Sequence, residues 1–138
     1  MHESSWNATR RLVYARAKGC CEYCRSCEDN MGQSMEIEHI DPAGGDEADN
    51  LCLSCGNCNR SKAVATSAPD LLTDQMVPLF NPRRQVWTEH SQWIDGGSRI
   101  QGRTATGRAT ADRFKMNRPR MVNARRWWIV AGYHPPQD

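Results

Sequence analysis

Polar and apolar residues alternate through Glu36-Ile37-Glu38-His39-Ile40, a period of two that predicts a short half-buried strand with Glu36 and Glu38 on one face and His39 on the other. Pro42 and the Gly44-Gly45 pair end that strand in a loop, and Asn50-Leu51-Cys52-Leu53 reads as a returning strand. Residues 56–65 suit a helix with Asn59 and Lys62 three positions apart on one face. The unit is strand, loop, strand, helix. It is compact enough to bring Glu38, His39, Asn50 and Asn59 together.

The flanks show patterns of their own. Residues 6–18 read as an amphipathic helix ending at Gly19, with Trp6, Val13, Tyr14 and Ala17 close to one face and expected in the core. Residues 85–93 and 98–103, joined across Asp95-Gly96-Gly97, predict a β-hairpin carrying Val86, Trp87, Trp93 and Ile100. Helices are expected over 106–116 and from Pro119 to about residue 131, where Gly132 offers a C-cap and Pro135 a stop. On the last helix Met121, Trp128 and Ile129 would face inward, while Arg118, Arg125 and Arg126 share another side. The fold class is α+β.

Length and charge refine this picture. A chain of 138 residues is one domain by prior, 1–138, with the strand–strand–helix unit over 19–66 and an extension over 71–138. The net charge of +2 conceals an asymmetry: residues 1–70 carry seven Lys and Arg against eleven Asp and Glu, and residues 71–138 carry eleven against five. A carboxylate-rich half repels a polyanion such as a nucleic acid, so the basic half is the natural grip on one, through Arg118, Arg125 and Arg126. No repeat or low-complexity segment is present. The longest apolar run, 127–132, is far short of a membrane span, and no signal peptide is visible, so a cytoplasmic protein without a membrane partner is expected. Nothing in the chain calls for a small-molecule cofactor, and nothing sets an oligomeric state.

The seven cysteines add a metal. Cys21-x2-Cys24 and Cys55-x2-Cys58 form two thiolate pairs of the kind that closes a tetrahedral zinc site, and such pairs outside a secretory context read as metal before disulfide. Cys24-x2-Cys27 and Cys52-x2-Cys55 have the same spacing, however, so spacing alone leaves the ligand set open, with Cys20, Cys27 and Cys52 the candidates for exclusion. A redox dithiol would want one isolated Cys-x-x-Cys opening a helix, and the crowding here argues against it.

The residue types around these cysteines fit phosphodiester chemistry. Glu38 and Asn59 offer hard oxygen ligands suited to Mg²⁺ or Mn²⁺. His39 can take a proton from water near neutral pH, Asn50 can fix the imidazole by a hydrogen bond, and Lys62 can neutralise phosphate charge. A lone histidine on a strand is more often structural. Glu38 beside it and Asn50 and Asn59 after it reverse that judgement.

Taken together, Cys21-x2-Cys24, Glu38-His39-Ile40-x-Pro42, Asn50-Leu51 and Cys55-x2-Cys58-Asn59-x2-Lys62 resemble the HNH endonucleases, the zinc-knuckle branch of the His-Me finger nucleases. The resemblance implies a ββα-metal core with a structural zinc knuckle on Cys21, Cys24, Cys55 and Cys58. It implies that His39 is the general base, that Glu38 and Asn59 bind the catalytic divalent ion, and that Asn50 stabilises the loop and orients the histidine. DNA would be cut to 5′-phosphate and 3′-hydroxyl ends. Asn59 stands where many members have histidine, and Glu38 where Asp is commoner; both keep an oxygen donor. The segments 79–83, 87–93, 102–110, 117–118 and 125–136 are similar to the tail of small stand-alone bacterial HNH proteins.

A zinc-stabilised DNA-binding module without catalysis is the alternative from another class, since it needs the knuckle and the basic half but not His39. Of the other histidines, His90 after Glu89 is expected to be structural, His134 to sit in a terminal turn without chemistry, and His2 to be a terminal residue.

Overall fold

A computed structural model of the chain describes residues 4–136. His2 lies outside the described residues.

Helix α1, Ser5–Ala17, starts where the Ser4 hydroxyl accepts the Asn7 amide at 3.1 Å and stops where Lys18 turns left-handed at φ 55°. Val13 is fully buried, and the Tyr14 hydroxyl donates to the Met35 carbonyl at 2.7 Å. Trp6, expected in the core, is 43% exposed. Leu12 is 50% exposed as well, and Val13 is the buried residue of α1.

After a single helical turn, α2 (Glu28–Met31), strands β1 (Glu36–His39) and β2 (Leu51–Ser54) pair antiparallel, with Glu36 opposite Ser54 and His39 opposite Leu51. All four residues of β2 are buried. Helix α3, Gly56–Lys62, follows at once, and the Cys55 thiol caps it by accepting the Cys58 amide at 3.4 Å. It ends three residues earlier than its sequence suggests, where Ala63 leaves helical geometry at φ 50°. Beyond that point Val64 is 77% exposed and has nothing to bury against.

A hairpin not expected from the sequence comes next: β3 (Ser67–Pro69) pairs with β4 (Met76–Pro78). Its turn is organised by Asp70, a fully buried carboxylate that accepts two hydrogen bonds from Arg108 at 2.9 Å each, one from the Leu72 amide and one from the Thr73 hydroxyl.

The second expected hairpin is half right. β5 (Ser91–Ile94) and β6 (Arg99–Gly102) pair across the Asp95–Gly97 turn, but residues Trp87–His90 form a helical turn, α4, not a strand. An extended chain would hold Trp87 and Trp93 about 20 Å apart. The turn instead brings their ring centroids to 5.3 Å and lets the buried Trp87 indole donate to the Tyr23 carbonyl at 2.8 Å.

Helix α5 (Ala105–Arg113) is capped by the Thr104 hydroxyl, and α6 (Pro119–Val130) carries proline in its first turn, the one place a helix tolerates it. A Cβ on Gly107 would stand 1.8 Å from the His90 carbonyl oxygen, so only glycine lets α5 approach α4 this closely. Met121 is buried, as expected, whereas Trp128 and Ile129 are only half-buried. The extension folds back on the cysteine loops. Phe114 meets Tyr23 edge-on at 4.7 Å, and the Asn57 amide donates to the Phe114 carbonyl at 2.9 Å. No helix among the described residues is long and apolar enough to cross a membrane.

Candidate metal and catalytic site

Four of the cysteines converge. The sulfurs of Cys21, Cys24, Cys55 and Cys58 all lie within 4.8 Å of one another, and all four residues are buried. Each pair forms a knuckle of the same type: the Cys24 amide points at the Cys21 sulfur at 3.5 Å, as the Cys58 amide does at the Cys55 sulfur. The Cys24 and Cys55 sulfurs are 3.7 Å apart, against the roughly 3.8 Å edge of a tetrahedron with metal–sulfur bonds of about 2.3 Å. Hydrogen bonds from Cys21, Cys55 and Cys58 pull the Cys24 thiol well below its ordinary pKa, whereas burial pushes Cys21 up. A thiolate-binding cation such as Zn²⁺ fits this donor set.

The competing cysteine spacings are resolved by the other three residues. Cys20 and Cys27 are joined in a disulfide across an antiparallel bridge, which removes the Cys24-x2-Cys27 pair. Cys52 is a buried free thiol outside the cluster, its pKa raised to about 12 by burial.

Strand β1 lays its two carboxylates under helix α3. Residues i and i+2 on a strand match the spacing of i and i+3 on a helix closely enough for two parallel contacts. Accordingly the Asn59 amide donates to Glu36 Oε2 at 2.6 Å, and Lys62 Nζ stands 3.5 Å from Glu38 Oε1. Lys62 also donates to the His39 carbonyl at 3.3 Å. Glu38 is 6% exposed, and neither of its carboxylate oxygens accepts a hydrogen bond. Burial raises its pKa to about 7, with Lys62 pulling the other way. The two orphaned carboxylate oxygens of Glu38 are of the type that suits a hard cation, but Asn59 is held by Glu36, and no hydrogen bond joins it to Glu38 among the described residues.

His39 leaves the opposite face of β1. Its Nε2 is 2.6 Å from Asp46 Oδ1 in the loop between the strands. Asn50 makes no hydrogen bond to the imidazole. Its Oδ1 accepts the Asp41 amide at 3.0 Å, and its Nδ2 donates to the carbonyls of Asp41 and Gly45 at 2.9 Å each. Asn50 therefore pins the loop, and the loop delivers Asp46 to His39. A Cβ on Gly44 would stand 2.7 Å from the Asn50 side chain, which is why this loop carries glycine there. Asp46 and Glu36 were not among the expected site residues. The alternation that puts Glu36 on the face of Glu38 is a usable signal, but nothing local marks Asp46.

Two expected phosphate contacts need correction. Lys62 is 2% exposed and faces Glu38, so its charge is answered inside the protein. Arg125 is fully buried: it donates to the Ser98 carbonyl at 3.1 Å and the Met116 carbonyl at 2.6 Å, and its guanidinium lies 5.9 Å from the Trp93 ring centroid. Arg125 therefore does not share an outer face with Arg118 and Arg126. Arg126 is exposed, and Arg118 is half-buried. His90 bonds the Thr104 hydroxyl at 2.7 Å, and buried His134 bonds the Gly97 carbonyl at 3.0 Å and packs edge-on to Trp93. Both are held by the fold.

Compared with known protein families, residues 21–64 match the model of the HNH endonucleases. No curated protein and no solved structure gives a match.

Proposed function

Because residues 21–64 form an HNH endonuclease segment, a family that acts on nucleic acids with bound metal, we propose that this protein is a metal-dependent DNA endonuclease. The observation that carries the reading is the β1–β2–α3 unit, which holds His39 with an aspartate partner on one side of a strand, and Glu38 beside Lys62 and Glu36 beside Asn59 on the other.

In this reading Cys21, Cys24, Cys55 and Cys58 hold a structural zinc ion that ties the α1–β1 region to the start of α3. Glu38 and Asn59 are the residues that would hold Mg²⁺ or Mn²⁺, which would supply positive charge against that building on the phosphate and the leaving 3′-oxygen. His39 is the general base. With its proton on Nε2 donated to Asp46, the imidazole presents the lone pair of Nδ1 to a water molecule and accepts that water's proton as the phosphorus is attacked. Asn50 acts one step removed, by fixing the loop that carries Asp46. Lys62 holds the buried Glu38 carboxylate and the His39 carbonyl in register. Duplex phosphates are held by cations of the extension, exposed Arg126 and half-buried Arg118 among them.

A second reading, a zinc-stabilised DNA-binding module without catalysis, draws on the burial of Glu38 beneath Lys62. One experiment separates them: supercoiled plasmid incubated with Mg²⁺, Mn²⁺ or chelator, beside the His39→Ala protein. Nicking or linearising by the parent alone supports the nuclease. Retarded but uncut plasmid with every ion leaves the binding module.

A further inference from the structure

A cleft of about 320 Å³ opens at Ile40 and Asp41, the two residues that follow His39 in the chain, between them and Lys62 on one side and the 78–85 stretch of the extension on the other. That stretch is rigidly mounted. The Phe80 amide donates to the Thr110 hydroxyl at 2.9 Å, and Arg83 is ion-paired with Glu22. Within the turn, Gln85 Oε1 accepts the Asn81 amide at 2.8 Å and Asn81 Oδ1 accepts the Arg83 amide at 2.9 Å.

Those two bonds have a chemical consequence. Each carboxamide is locked through its oxygen, so each keeps its NH₂ group as a donor without a protein partner among the described residues. Arg84, exposed between them, makes no side-chain hydrogen bond or ion pair with any described residue. The cleft thus offers three oriented donor groups beside an apolar floor that includes Ile40 and Phe80. Asp41 on the opposite rim is the one carboxylate, and its Oδ1 already accepts the Ala43 amide. Fixed donors, one free guanidinium and an apolar wall suit a ligand with anionic acceptor oxygens and a carbon skeleton.

We infer that this cleft seats one nucleotide of the bound DNA strand, with Arg84 and the Asn81 and Gln85 amides on its phosphate and the sugar against Ile40 and Phe80. The inference rests on the nuclease reading for the identity of the ligand. It makes Arg84, outside the HNH segment, a substrate-positioning residue.

The test is an NMR titration of the zinc-loaded protein, without added Mg²⁺ or Mn²⁺, by a short single-stranded oligodeoxynucleotide, following the side-chain signals of Asn81, Arg84 and Gln85. Those signals are expected to shift saturably. Arg84→Ala should weaken binding roughly tenfold, Arg84→Lys less, and a methylphosphonate strand of the same sequence should leave the three signals in place. Thr66→Trp, which fills the mouth and keeps the Thr66 carbonyl that accepts the Leu79 amide, should abolish the shifts. Binding that leaves the three signals still, or that Arg84→Ala weakens no more than Arg126→Ala does, would overturn the site. Failure of the parent to cut plasmid removes the nuclease reading but not these shifts. Normal cutting by Thr66→Trp removes the cleft but not the nuclease.

Discussion

Lys62 sets its ammonium 3.5 Å from the Glu38 carboxylate, with both side chains almost wholly inside the protein. An uncompensated buried charge is far costlier than a missing surface contact. Lys62→Met is therefore expected to lower stability by about 3–5 kcal/mol, read by denaturant unfolding, and the Lys62→Met/Glu38→Leu pair should recover much of that loss. A Lys62→Met protein of parental stability and reduced DNA affinity would return Lys62 to the role of a phosphate contact.

Replacing the imidazole tests the base. His39→Ala should slow plasmid cleavage by about 10²–10⁴-fold with DNA affinity nearly unchanged. Asp46→Asn keeps the shape and removes the charge that orients His39, so it should lower turnover by less than His39→Ala does. Full cutting by His39→Ala would dismiss the mechanism, and an Asp46→Asn protein indistinguishable from the parent would dismiss the pairing.

Metal content discriminates among the cysteines. The purified protein should hold one tightly bound zinc. Cys58→Ala should lose it and unfold the centre of the chain, since structural zinc contributes roughly 10–16 kcal/mol of apparent binding energy in small modules. Cys20→Ser, Cys27→Ser and Cys52→Ala should each keep the metal. Zinc lost from any of these three would redraw the ligand set.

The arginines of α6 should part company. Arg126→Ala should leave thermal stability alone and flatten the slope of log affinity against log salt by about 0.9 on duplex DNA. Arg125→Ala strands two buried carbonyls, so it should destabilise by about 2 kcal/mol or more. The same salt-slope change in both, with both equally stable, would mean that Arg125 reaches solvent after all.

Asp70 supplies a pH dependence. Arg108 holds its carboxylate well below the ordinary value of 3.8, the Leu72 amide and Thr73 hydroxyl adding to the effect. A depressed folded pKa contributes stability that is present above the unfolded pKa and lost as pH falls through the folded one. Asp70→Asn should thus be less stable than the parent at neutral pH, and the gap in melting temperature should close as the solution is taken below about pH 4. A gap that stays constant down to pH 2 would show that the Asp70–Arg108 pair does not set the turn.

What could be read along the chain is what depends on near neighbours. Alternation over 36–40 marks a strand because side chains on a strand switch faces at every residue, and a Cys-x2-Cys pair marks a metal knuckle because both sulfurs come from one turn of backbone. Proline at the start of α6 and Gly45 in the loop after His39 act through their own φ angles, so they too were legible. The choice among seven cysteines was not, because it depends on which sulfurs the folded chain brings together: the Cys20–Cys27 bond and the seclusion of Cys52 exist only in three dimensions.

The same division explains the corrections. An arginine on a helix carries no local sign of whether its side faces water or the Trp93 ring, so Arg125 and Arg126, adjacent in sequence, have opposite fates. Trp87 belongs to a strand by propensity, but contact with Tyr23 and Trp93 favours a helical turn, since burying an indole with its N–H satisfied outweighs a few residues' preference for extension. Asp46 is one of four acidic residues between His39 and Asn50. Only the loop geometry imposed by Asn50 selects it as the partner of His39, because a hydrogen bond is decided by distance and direction, which no spacing along a flexible loop specifies.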